Sequence, residues 1–239
     1  GSSEAWLVVT FGLLDPPKPM PCIHLLLAHP RPRVLAKLWS VMAQLGVEQI
    51  IVVNAKRCEK QYWYSDKSCL KDHLRLPLLA EGLQQGGHTR MPIVRVERFF
   101  KPLMEHKLDS MLPSHATRLL CDLGHHPTMR EVVKTHTNDN SGSSSSSSRP
   151  GVVLAIGPEG GWTDYEVKAL KAKGFMSVSL GNVIMRCDVA CIAAIAIATD
   201  QLAHLQRQTR SSNSEMVGTG SAAVDKRAVP QQPGEKPRG

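Results

Sequence analysis

The sequence is short of features that would assign it to several familiar classes. Aromatic residues make up only 5% of it, which argues against a binding surface built mainly from Phe and Tyr. Cysteines stand at Cys22, Cys58, Cys69, Cys121, Cys187 and Cys191, but none forms a C-x-x-C pair and no pair has zinc-ribbon spacing. Free thiols in a reducing compartment are expected, with no metal site. His125 and His126 lie near Cys121, but adjacent histidines do not easily share one tetrahedral ion, so they read as loop residues. No secretory leader is evident at the start of the sequence. The longest apolar run, Val189–Ala198, is too short to span a bilayer, so no membrane partner is expected.

The chain does have charge and enough apolar residues for a core. Its 239 residues are 42% hydrophobic, enough for one domain with small appendages. The formal net charge is +8, and this basic excess favours a polyanionic partner.

Along the chain, residues 5–11 read as a short strand. Four prolines within 16–21 exclude helix and central strand, making a stiff linker. A regular alternation follows. Strands are expected at 22–28, 49–53, 93–97, 117–122, 152–156 and 176–180. Helices are expected at 33–45, 68–85, 99–111, 164–173 and 188 to about 204. Residues 136–150 contain a run of serines and are expected to be a disordered loop. Residues 206–239 read as a disordered basic tail. The alternation implies an α/β fold with a mostly parallel sheet and helices on both faces. Ligands in such sheets sit beyond the carboxyl ends of the strands.

Two loops stand at such ends. The first, Ile156-Gly157-Pro158-Glu159-Gly160-Gly161-Trp162-Thr163, has three glycines that permit close backbone approach. Thr163 or Asp164 can cap the next helix, and Glu166 completes a T-x-x-E capping box. The loop matches neither the phosphate-loop nor the dinucleotide glycine pattern. On glycine content alone, a ligand loop and a plain turn are equally admissible. In the second, Leu180-Gly181-Asn182-Val183-Ile184-Met185-Arg186-Cys187-Asp188, three apolar residues follow a Gly-Asn turn. They must be buried or face an apolar ligand, and an adenine ring would suit.

The stretch LAIGPEGGWTDYEVKALKAKGFMSVSLGNVIMRCDVACIAAIA resembles the signature of the RsmE family of SPOUT-class methyltransferases, I-G-P-E-G-G-[FW]-x-x-x-E followed by V-S-L-G-x-x-I-L-R-x-E-T-A. The similarity extends from Ile23 to about His204, interrupted by the serine run. It implies a C-terminal deep trefoil knot, an exception to the rule against threaded chains, and a homodimer with sites at the interface. It also implies S-adenosyl-L-methionine as cofactor, held by Ile156, Gly157, Pro158, Glu159, Gly160, Gly161, Leu180, Gly181, Val183, Ile184 and Met185. The implied reaction is methylation of uridine N3 in small-subunit ribosomal RNA. Such a transfer is an in-line displacement that needs positioning, removal of the N3 proton and stabilisation of the uracil oxygens. Arg186 is the candidate stabiliser; Asp188, where the family has Glu, is a candidate base or helix cap. Val189 replaces the family's Thr. Residues 1–15 resemble only a remnant of the family's N-terminal RNA-binding β-barrel, leaving 22–205 as the methyltransferase domain.

Candidate RNA-binding residues are Arg31, Arg33 and Lys37, crowded at a helix start where the macrodipole disfavours cations. Arg57 and Lys60 are further candidates, beside Lys56, Tyr62, Trp63 and Tyr64. Two alternatives stand beside the active enzyme: an RNA-binding pseudoenzyme of the same fold, and a basic interaction module that binds no cofactor. The expected location is the cytoplasm. Because the serine run and tail have a eukaryotic character, chloroplast or mitochondrion is the alternative.

Overall fold

A computed structural model describes residues 8–10, 12, 20–139 and 149–218; the side chains of 136–139 and 209–218 are not part of that description. Residues 16–19 of the expected linker and 140–148 of the expected loop lie outside the described residues, whereas 136–139, expected in that loop, are the end of a helix. Of the strand expected over 5–11, residues 8–10 are described and belong to no strand, and Val8 and Val9 are exposed. The chain divides into a body, 1–203, and a second unit, 204–239.

The body contains β1 (Cys22–Ala28), α1 (Pro32–Gln44), β2 (Gln49–Val53), α2 (Asp72–Gly86), β3 (Ile93–Glu97), α3 (Phe100–Pro102), α4 (Leu108–Met111), β4 (Thr117–Cys121), α5 (Met129–Asp139), β5 (Gly151–Ile156), α6 (Asp164–Ala172) and β6 (Met176–Val178). It also holds the first part of α7 (Cys187–Gly218). The six strands form one sheet in the order β3-β2-β1-β5-β4-β6, and every pairing is parallel. Central strands β1, β2 and β5 are buried along their whole length, because helices on both faces leave no solvent side for alternation. The outer strand β3 has no buried residue: Ile93, Arg95 and Val96 are exposed, Val94 and Glu97 half-buried.

One sheet face, with Leu26, Ala28, Ile51, Val153 and Ala155, packs against Leu103 and Leu108 of the helical segment after β3 and Leu170 of α6. Complete burial of each Leu, Ile or Val side chain among these is worth about 1.5–3 kcal/mol. Helices α1 and α2 cross closely at Gly82, where a Cβ would come within 2.1 Å of the Ser40 carbonyl oxygen. Any side chain there would force the helices apart.

Several elements differ from expectation. Residues 68–71 are not part of α2: Asp66–Ser68 form a 3-10 turn, Cys69 takes a left-handed conformation, and Trp39 Nε1 donates to the Ser68 carbonyl. The helix expected at 99–111 contains a π turn at Leu103–Lys107. Helix α5 was not expected, and its start is fixed by a Thr128–Glu131 capping box. The final helix continues to Gly218, so 206–218 are helical rather than disordered. Extending an existing helix needs no new nucleus, and Gln206, Arg207 and Gln208 are good helix formers.

The segment Cys187–Gln208 of α7 is long and apolar enough, by length and composition, to cross a membrane. That exceeds the ten-residue run read from sequence, since the helix continues past it. Cys191, Ala194, Ile195, Ala198 and Leu202 bury one of its faces.

Candidate active site

The parallel registers place Cys121, Ile156 and Val178 level at the carboxyl ends of β4, β5 and β6. The loops that follow enclose a cavity of about 320 Å³. Its walls are formed by Cys121–Leu123, by Ile156–Glu159 with Gly161 and Trp162, and by Leu180, Gly181 and Val183–Cys187, with Ala190. Ten of the eleven residues assigned to the cofactor by resemblance therefore line one cavity. The eleventh, Gly160, faces the other way, and a Cβ on it would sit 3.1 Å from Arg57 Cβ.

The loop after β5 is strongly held. The Gly161 amide donates to the Pro158 carbonyl at 2.8 Å, with Gly161 at φ +73°. Arg57 Nη1 donates to the Gly160 carbonyl at 2.7 Å and the Trp162 carbonyl at 3.4 Å. Arg57, expected at RNA, thus has its guanidinium on the loop. The predicted capping box forms: Thr163 and Glu166 bond each other's backbone amides. Buried Glu166 also accepts from the Lys56 amide at 2.7 Å, tying the β2 and β5 loops together.

Glu159 Oε1 accepts from the Arg31 amide at 3.0 Å. Helix α1 has no acidic residue in its first turn and no side-chain cap. Glu159 supplies the missing anion at its positive end and brings Arg31 to the cavity rim. Arg33, Lys37 and Lys60 are exposed.

At the other wall, Val183 and Ile184 are exposed to 66% and 85%, and Gly181 adopts φ +129°. Arg186 lines the cavity and donates to both carboxylate oxygens of Asp188. That fork holds the Asp188 carboxyl below its usual range, which makes it a poor proton acceptor. Asp188 is not among the lining residues. It also accepts from the Val189 amide at the start of α7, so its observed contacts are those of an orienting and capping residue.

Trp162 Nε1 is buried against the cavity without a partner among the described residues. An orphan donor in a wall, with two uncovered apolar side chains opposite, fits a ligand with polar acceptors and an apolar ring. Asp122 and Glu159 add carboxylates to the lining. The sequence reading missed Cys121–Leu123, Trp162, Cys187 and Ala190; the strand-end rule could have pointed to Asp122. Cys121 is half-buried, and desolvation pushes its thiol up to about 12, so it lines the cavity as a neutral group.

One trio of ligand-type groups lies elsewhere among the described residues. Cys22, His24 and Glu48 have ligand atoms within 4.8 Å of one another. Their other contacts account for them: Arg149 and Arg90 pair with Glu48, and His24 bonds Gln49.

The model of the family described as "RNA methyltransferase domain" matches residues 16–199. The chain is 29% identical over 177 residues to a Treponema pallidum protein named "Ribosomal RNA small subunit methyltransferase E", covering 73% of this chain and 60% of that protein. A Synechocystis protein of the same name is 56% identical over 45 residues, 19% of this chain and 15% of its own. The Neisseria gonorrhoeae protein of that name, crystallised bound to S-adenosyl methionine, superposes with a TM-score of 0.57 at 22% identity. That match covers 74% of this chain and 65% of the Neisseria chain.

Proposed function

We propose, from the premise that this chain belongs to the RNA methyltransferase domain family, that it transfers a methyl group from S-adenosyl-L-methionine to N3 of a uridine in small-subunit ribosomal RNA. The observation that carries this reading is the cavity at the ends of β4, β5 and β6, lined by ten of the eleven residues that the family resemblance assigns to the cofactor. The relatives' names support ribosomal RNA as the substrate class.

When bound, the cofactor supplies an electrophilic methyl group on a sulfonium. The protein's part is to position and polarise. Gly157, Gly161 and Gly181 let backbone approach the ligand, and Trp162 Nε1 offers it a donor. Val183 and Ile184 give an apolar wall for adenine, and Asp122 and Glu159 suit a cationic ligand. Arg186 reaches the rim with its side chain 77% exposed, suited to stabilising negative charge on the uracil oxygens. Asp188 positions Arg186. On this reading the chain from Val152 onward carries the trefoil knot. The apolar face of α7 at Val189, Ile192 and Ala196, exposed at helical spacing, is where a second copy docks. The cytoplasm is the proposed location, with chloroplast or mitochondrion as the alternative.

The test is incubation with labelled S-adenosylmethionine and undermethylated small ribosomal subunits, reading cofactor binding and label transfer together. Binding with label at uridine N3 is expected. Binding without label would overturn this reading in favour of a pseudoenzyme, and no binding would overturn both.

A further inference from the structure

A second cavity, of about 570 Å³, opens on the other side of the loop after β5. Its wall includes Lys56, Lys60, Arg98, Phe99, Lys101 and Tyr165. Two physical features make it unusual. Large aromatics are uncovered: Phe99 is 70% exposed and Tyr165 58%. The charge is nearly all of one sign, because the only carboxylate in the lining, Glu166, is buried and bonded to Thr163 and the Lys56 amide. Arg98 has no carboxylate partner among the described residues. Its guanidinium lies over the Tyr64 ring, 5.1 Å from the centroid, and 5.9 Å from that of Trp63. Tyr64 is itself 77% exposed.

Exposed aromatic faces interleaved with cations are what an unpaired nucleotide needs: a surface to stack its base and charges for its phosphates. Lys101 is 3.7 Å from Glu105, but both side chains are exposed, and such a surface pair is weak enough for a phosphate to compete with it. The position supports the same occupant. Trp162 lines the first cavity, while Thr163, the next residue, lines the second. Trp162 and Phe100 form the partition, their ring centroids 5.8 Å apart. Adjacent residues are about 3.8 Å apart along the chain, so the two cavities meet within the reach of neighbouring nucleotides.

Building on the proposed RNA substrate, we infer that this second cavity binds an unpaired nucleotide flanking the target uridine. Its base stacks on Phe99 and Tyr165, and its phosphates lie on Lys60, Arg98 and Lys101. A duplex does not fit this scheme, because paired bases do not present their faces.

The test measures binding of a short fluorescein-labelled oligouridylate to the whole chain, with S-adenosylmethionine binding followed calorimetrically on the same samples. Both aromatics are exposed, so the variant carrying Phe99→Ala and Tyr165→Ala keeps its fold and its cofactor affinity. It is expected to lose about tenfold or more in affinity for the single strand, from stacking losses of alanine substitutions. Arg98→Ala is expected to weaken binding and to lower its salt dependence. Unchanged oligouridylate affinity in the double variant overturns the inference. So does equal weakening for duplex RNA, or displacement by polyglutamate as effective as by RNA, which would indicate an acidic protein segment. Label transfer by the wild type is scored separately. Normal transfer with an unaffected double variant sinks the nucleotide site and leaves the proposed reaction standing. Absent transfer sinks the reaction and leaves the binding result to stand on its own.

Discussion

The loop after β5 is tied down along its length, whereas the loop after β6 is held only at its ends. In the first, Glu159, Gly160, Gly161, Trp162 and Thr163 each contribute a hydrogen bond through side chain or backbone, several to residues more than a hundred positions away. In the second, Ser179 bonds Gly181 and Arg186 bonds Asp188. Residues 182–185 make no hydrogen bond among the described residues. The difference separates two tasks around one cavity. The first loop is a preformed wall that loses little entropy on binding. The second presents Val183 and Ile184 to water and gains when a ligand covers them.

That contrast can be broken at four points, taken from the largest expected effect downward. Arg186→Ala removes the one guanidinium at the rim of the open wall. Methyl transfer should fall about a hundredfold or more, with circular dichroism and cofactor binding retained. Unchanged transfer would refute its role at the uracil oxygens. Arg57→Ala releases the carbonyls of Gly160 and Trp162, and calorimetry should show cofactor affinity about tenfold weaker, the lower range for charged hydrogen bonds. If affinity holds, the first loop does not depend on that brace. Ile184→Ser should weaken cofactor binding by several-fold, yet leave the melting temperature of the free protein unchanged, because the side chain is 85% exposed. A lowered melting temperature would show that the open wall is part of the core.

The smallest effect concerns acid. Arg186 lowers the Asp188 pKa in the folded state. The stability this gives is complete above the unfolded carboxyl pKa of about 3.9. It is lost as pH falls through the lower folded value. Melts of wild type and Asp188→Asn between neutral and strongly acid pH should therefore converge at the acid end. Partial exposure keeps the gap small. A gap that widened on acidification would reverse the sign and contradict the pairing.

How much of this was legible in the sequence depended on the range of the interaction. Strands β2 and β3 fall at the expected residues, since short β-branched runs bounded by turns carry their own signal. The Thr163–Glu166 box was readable because its partners are three residues apart. The same signal lay unread at Thr128–Glu131, where it marks α5. Arg31, Arg33, Lys37, Arg57 and Lys60 looked alike as surface cations. Folding distinguishes them, fixing Arg57 to the loop carbonyls and leaving Lys60 in the second cavity.

By itself the sequence determined the parallel α/β layout and the two loops at strand ends. Period, turn chemistry and the signature motif are all local properties. Tertiary structure alone decided that Cys121–Leu123 complete the cavity, that Glu159 caps α1, and that Trp162 divides one cavity from a second. The Arg31–Glu159, Lys56–Glu166 and Arg57–Gly160 bonds join residues 128, 110 and 103 positions apart. Contacts at such separations leave no period in the sequence and form only once the sheet has brought its strand ends level.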